Sequence, residues 1–140
     1  MSVAENRLVL DTNVLISRLL LPRGVAGRAV DKALAEGVVL MSAETLTELA
    51  DVLDRPKFDR YVAPEEKRQF LRMLGGIVRV VPIQRRIQVC RDPKDDMLLH
   101  VALNGEARAL ITGDRDLLVL GDEFRQSHGL NILSPADFLL

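Results

Sequence analysis

One cysteine, two histidines and no tryptophan occur among the 140 residues. The lone Cys90 cannot close an internal disulfide, and with only His100 and His128 beside it no Cys/His zinc framework can be assembled. Both absences fit a reducing, cytoplasmic setting. Aromatic rings are scarce, limited to Phe58, Phe70, Phe124, Phe138 and Tyr61, which argues against an extended platform for base stacking. Long hydrophobic runs are missing as well. Residues 8–21 are interrupted by Asp11, Asn13 and Arg18 and preceded by Glu5 and Arg7, so neither a signal peptide nor a membrane span is expected. Nor is there an excess of positive charge. A formal net charge of −1 is not the strongly basic balance common in nucleic-acid binders, but clustered carboxylates can offset basic residues elsewhere, so the distribution matters more than the sum.

What is present is the composition of one soluble domain: 48% hydrophobic and 28% charged residues, with no segment poor enough in apolar residues to imply disorder. Residues 1–140 are expected to form a single unit. Short apolar runs alternate with longer amphipathic ones, the pattern of β/α units around a mostly parallel sheet. Expected strands cover 7–10, 38–41, 78–81, 109–111 and 130–133. Expected helices cover 12–20, 27–36, 43–54, 64–74 and 95–104, with a cap and final turn at Ser134-Pro135-Ala136-Asp137. Pro22 and Gly24 break the first helix, Ser42 caps the third, and Gly75-Gly76 is expected to end the fourth.

Carboxylates recur where such a fold builds sites. The first strand runs Leu8-Val9-Leu10 into Asp11-Thr12-Asn13, and the fourth runs Ala109-Leu110-Ile111 into Thr112-Gly113-Asp114-Arg115-Asp116. Acids at the carboxyl ends of parallel strands lie at the edge where open α/β sheets bind ligands. On position alone, an N-cap explains Asp11 equally well. The 95–104 helix is apolar almost all round and leaves one polar stripe, Asp96, His100 and Asn104, at spacing i, i+4, i+8. A buried stripe containing a carboxylate must meet something polar, of which a metal is one solution. Asp95 falls toward the apolar side and reads as the N-cap after the turn Asp92-Pro93-Lys94. On the third helix, Glu44, Glu48 and Asp51 lie opposite a core face of Leu46, Leu49, Ala50 and Leu53. Periodicity alone assigns them to solvent.

Taken in order, these segments resemble the PIN-domain family. They are residues 8–15, Thr45-Leu46-Thr47-Glu48-Leu49, Val52-Leu53-Asp54-Arg55-Pro56-Lys57-Phe58, Asp92-Pro93-Lys94-Asp95-Asp96 and residues 112–118. Within that family they are most similar to the bacterial VapC-like proteins of toxin–antitoxin pairs. The resemblance covers nearly the whole chain. It implies a three-layer α/β/α fold with a central five-stranded sheet in the order 3-2-1-4-5. It further implies an acidic set at Asp11, Glu48, Asp96 and Asp114, with Asp116 as an auxiliary ligand. Related sequences often carry an acid where this chain has His100.

Clustered carboxylates raise one another's pKa unless a cation joins them. Hard oxygen donors, without Cys and with little His, favour Mg²⁺ or Mn²⁺ over Zn²⁺. One ion on Asp11, Asp96 and Asp114, with a second nearer Glu48, would suit phosphodiester hydrolysis of RNA. The resemblance implies products with a 5′-phosphate and a 3′-hydroxyl. Thr12, Asn13 and Thr112 are placed to orient the carboxylates or touch a phosphate, or simply to cap. Among Arg18, Arg23, Arg55, Lys57, Arg60, Arg85, Arg86 and Arg91, the selected contacts to the RNA backbone are Arg18, Arg55, Lys57 and Arg91. The expected partners are RNA, a small antitoxin whose segment covers the acidic groove, and a second copy of the chain in a homodimer. Two other readings compete: an aspartyl phosphotransferase, disfavoured by Asn13 and by Lys94 being the only late lysine, and a PIN-like RNA- or protein-binding module with weak or no turnover.

Overall fold

A computed structural model describes residues 5–140 of the chain. The elements run β1 (Arg7–Leu10), α1 (Thr12–Leu20), α2 (Val25–Glu36), β2 (Val38–Met41), α3 (Ala43–Leu53), α4 (Pro64–Ile77), β3 (Arg79–Val80), α5 (Pro93–Asn104), β4 (Ala109–Ile111), α6 (Arg115–Leu118), α7 (Gly121–His128), β5 (Asn131–Leu133) and α8 (Pro135–Phe138). A single 3-10 turn, Pro56–Phe58, lies between α3 and α4. The five strands form one sheet in the order β3-β2-β1-β4-β5, and every pairing is parallel.

The period of two along each strand divides the interior into two layers. Leu8 and Leu10 of β1, Val39 and Met41 of β2, and Ala109 and Ile111 of β4 pack with α1, α2, α3 and α4. Their alternates Val9, Leu40 and Leu110 face the other way, onto Leu98, Leu99, Val101 and Ala102 of α5, Leu117 of α6 and Phe124 of α7. Helices cover both faces, as a parallel sheet requires, and the result is the expected three-layer α/β/α arrangement. Among the described residues no helix is long and apolar enough to cross a membrane.

Several boundaries differ from the sequence expectation. α4 runs through Gly75 and Gly76 to Ile77, with the N–H of Val78 closing on the carbonyl of Leu74. Both glycines are solvent-facing, so their poor helix propensity is outweighed by the packing of Phe70 and Leu74. The third strand keeps two residues of the expected four, although Val81 still donates to the carbonyl of Met41 over 2.8 Å. α6 and α7 lie in a stretch where no element was expected. In each of them a single side chain, Leu117 and Phe124 respectively, is buried, too little to create a periodic signal. α5 begins at Pro93 rather than Asp95, and this shift changes the site.

Candidate metal site

Adjacent parallel strands bring their carboxyl ends together, and β1 and β4 are adjacent. The residue after β1 is Asp11, the N-cap of α1, whose Oδ1 accepts the N–H of Asn13 over 3.2 Å. Its Oδ2 accepts the hydroxyl of Thr112 over 2.6 Å. Thr112, immediately after β4, also accepts the N–H of Asp114 over 3.0 Å, and Asp114 caps α6 by accepting the N–H of Asp116 over 2.9 Å. The caps and the site are therefore the same residues. Asp11 is buried, and burial pushes its carboxyl pKa up against the lowering effect of its two hydrogen bonds, with Asp114 adding to the rise.

The third carboxylate on this edge is Asp95, not Asp96. Asp92 is the N-cap of α5, accepting the N–H of Lys94 over 3.0 Å, which places Asp95 in the first helical turn. Asp95 lines a cavity of about 120 Å³ together with Asp11, Asn13, Glu48, Asp92 and Asp114. Asp96 turns away. Its Oδ1 accepts two peptide N–H groups, from Val89 at 3.1 Å and Cys90 at 2.9 Å. The polar partner demanded by the buried Asp96 stripe is thus a neighbouring backbone segment. Cys90, beside that carboxylate, has its thiol pushed up to about 12 by burial first and by Asp96 next, so it is no thiolate ligand.

Glu48 does reach the cavity from α3, with Lys94 Nζ 3.5 Å from its Oε1. Asp116 is more exposed and carries Arg91 Nη2 at 3.0 Å. Thr12 lines the cavity and Asn13 contributes its backbone N–H. His100 does not line the cavity: its Nε2 lies 2.9 Å from both the N–H and the carbonyl of Ile87, and its Nδ1 is buried without a partner. Of the other selected basic residues, Arg18 is paired with Asp31 at 2.8 Å on α2, while Arg55 and Lys57 are exposed at the 3-10 turn after α3.

Asp95, Asp114 and Asp116 each offer an oxygen, all within 4.8 Å of one another. Asp95 is pushed up to about 7 by burial first, then by Asp114, Asp11 and Asp92. Burial is the larger cause, but the contributions of Asp114, Asp11 and Asp92 show several carboxylates facing one another, a site with negative charge in surplus. Its donors are hard oxygens, the set that suits Mg²⁺ or Mn²⁺. The observed donors fit such an ion, with Asp95 in the place expected for Asp96. A sequence signal for Asp95 existed: Pro93 at the first helical position would have moved the cap back to Asp92.

Residues 7–116 match the family model described as PIN domain. An uncharacterized protein of Methanocaldococcus jannaschii is 30% identical over 139 residues, spanning 95% of this chain and 89% of that protein. Among solved structures, the fold is shared with VapBC2 from Rickettsia felis, determined bound to a DNA fragment from their promoter. That match has a TM-score of 0.58 at 11% identity and covers 91% of this chain and 98% of the other.

Proposed function

The chain belongs to the PIN-domain family, and from that premise we propose that it is a divalent-metal-dependent endoribonuclease. The observation that carries this reading is the convergence of Asp11, Asp95 and Asp114 on one cavity at the carboxyl edge of the sheet, with Asp116 beside them. Asp95, Asp114 and Asp116 would hold an Mg²⁺ or Mn²⁺ ion, with Asp11 facing it and Glu48 approaching from α3. When bound, the ion would polarise a phosphate oxygen and lower the pKa of a coordinated water.

The chain's own groups prepare that chemistry. Thr112 fixes the rotamer of Asp11 by a hydrogen bond to Oδ2 and ties Asp114 to the same point. Below about pH 7 Asp95 retains a proton that a cation using both of its oxygens has to displace. Lys94 Nζ, 3.5 Å from Glu48 Oε1, pairs with that carboxylate at the cavity wall. In the reaction the water oxygen bonds to phosphorus, the P–O3′ bond breaks and the departing oxygen takes a proton, leaving a 5′-phosphate and a 3′-hydroxyl.

Incubation of the purified protein with single-stranded and structured RNAs in Mg²⁺ or Mn²⁺ tests this. Cleavage that is blocked by EDTA and by Asp11→Asn is expected. Tight RNA binding in metal without any product would transfer the chain to the binding-module reading. The fold shared with VapBC2 supports a small antitoxin as partner, tested by co-purification with the product of an adjoining short reading frame. The proposed homodimer is tested by light scattering on the eluted protein, and the proposed cytoplasmic location by fractionation.

A further inference from the structure

The polar stripe of α5 plays no part in the chemistry above, yet Asp96 and His100 are buried, Asn104 is half-buried, and each of the three bonds to the neighbouring backbone. Between β3 and α5, residues 81–92 adopt no helix or strand. Asn104 Oδ1 accepts the N–H groups of Gln84 and Arg85 over 3.0 and 2.9 Å, while its Nδ2 donates to the Arg85 carbonyl over 2.8 Å. His100 Nε2 meets the peptide of Ile87 at 2.9 Å, and Asp96 takes the N–H groups of Val89 and Cys90. The match is one of spacing. Four residues of helix rise ~6 Å, close to the ~6.6 Å of two extended residues. The strap therefore runs antiparallel to α5, with contacts near positions 85, 87 and 89. Its apolar side chains Ile83, Ile87 and Cys90 pack inward on the core.

Two of its arginines pair with acids beside the cavity. Arg86 Nη2 lies 2.7 Å from Glu44 on α3, one turn before Glu48, and Arg91 Nη2 lies 3.0 Å from Asp116. We infer that Asp96, His100 and Asn104 are positioning residues that pin this strap so that Arg86 and Arg91 receive the phosphodiester backbone of the RNA at the mouth of the site. The substrate's identity in this inference rests on the nuclease reading. A polyanion must approach a cavity lined by carboxylates on a chain of net charge −1, so cations have to be supplied locally. Exposed pairs such as Arg86–Glu44 and Arg91–Asp116 contribute little by themselves. A phosphate can therefore take over either guanidinium, bidentately.

The test is RNA binding by fluorescence anisotropy across a salt series, in an Asp114→Asn background so that cleavage does not drain the complex. Hydrogen exchange of the strap amides is followed in parallel, without RNA. R86Q with R91Q should weaken binding roughly tenfold and reduce the salt slope by about 1.4, ~0.7 for each single-strand phosphate contact removed. D96A and N104A should expose the amides of Val89 and Cys90, or of Gln84 and Arg85, and weaken binding to a similar degree. D96N keeps the acceptor oxygen and should retain both protection and affinity to within about twofold.

Unchanged affinity and salt slope in the double arginine variant would overturn the proposal. So would a D96N protein that loses Mn²⁺ binding, because Asp96 would then be a ligand. Absence of cleavage by the unmodified protein counts against the nuclease reading alone, and the binding comparison still decides the role of the strap.

Discussion

The hydroxyl of Thr112 donates to Oδ2 of Asp11 over 2.6 Å, at a position where Thr112 has no solvent exposure. Thr112 Oγ1 in turn accepts the N–H of Asp114 over 3.0 Å, so one side chain sets two of the acids. Thr112→Val keeps the shape and removes both bonds, leaving a buried N–H and a buried carboxylate oxygen short of partners. We expect a loss of ~1–3 kcal/mol in stability by urea titration and a fall of roughly 10–100-fold in cleavage rate or metal affinity. Thr112→Ser, which retains the hydroxyl, should recover most of both. Equal activity in Thr112→Val and the unmodified protein would remove Thr112 from the site.

The strands and the positions of Asp11 and Asp114 were legible because each rests on a local signal, an apolar run ending in an acid before a helix, whereas the strand order 3-2-1-4-5 came from the family resemblance. Which of Asp95 and Asp96 lines the cavity was not legible that way. Periodicity puts Asp96 on the polar stripe with His100 and Asn104 and Asp95 toward the apolar side, but it cannot say whether such a stripe meets the cavity or a neighbouring backbone segment. The choice is made by Asp92 capping α5 and by the strap that captures Asp96. That strap has no regular structure and leaves no pattern in the sequence. Glu48 and Glu44 share one face of α3. One lines the cavity while the other pairs with Arg86, a division set by tertiary contacts, and only the family resemblance had selected Glu48.

The glycines give a test of the packing independent of function. Gly75 and Gly76 lie inside α4, and a Cβ at either would meet nothing within 4 Å. Gly75→Ala and Gly76→Ala should each stabilise the protein by about 0.5–1 kcal/mol through the lower chain entropy of the unfolded state. Gly105, which ends α5, is the contrast. A Cβ there would fall 2.6 Å from Leu40 Cδ1 and 3.0 Å from the Val101 carbonyl, so Gly105→Ala should destabilise by ~1–3 kcal/mol. Denaturant midpoints of the three variants order them directly, and the opposite order would contradict the packing of α5 on β2.

Asp11→Asn and Asp95→Asn should separate stability from function. Burial raises both carboxyls above their ordinary values, so each charged form is disfavoured in the folded protein. Neutral replacements should therefore leave the metal-free melting temperature at pH 7.5 unchanged or higher. They should at the same time abolish the upward shift produced by Mn²⁺ and reduce cleavage by at least ~100-fold, as for groups that act directly on the reacting centre. Differential scanning fluorimetry with and without Mn²⁺ reads both effects. A lower metal-free melting temperature in both variants would mean that these acids serve the fold, with the cavity incidental.

The same burial fixes a pH dependence whose direction follows from Asp95. In the unfolded chain its proton leaves near 3.8, whereas in the folded protein it is retained to about 7. Between those values the native state binds more protons than the unfolded state, so the stability contributed by this group declines as pH rises and levels off above 7. Glu5 and Glu44, held low chiefly by their bonds to Arg79 and Arg86, act in the opposite sense. Their contribution is present above about pH 4.5 and fades only as the pH falls further, outside the Asp95 window. Added Mn²⁺ must displace the Asp95 proton at pH 5.5 but finds the carboxylate ionised at pH 8. The melting temperature of the metal-free protein should therefore drop from pH 5.5 to 8, the stabilisation by Mn²⁺ should grow over the same interval, and Asp95→Asn should flatten both curves. A Mn²⁺ shift of equal size at the two pH values would show that the cation is held without Asp95, by Asp114 and Asp116 alone.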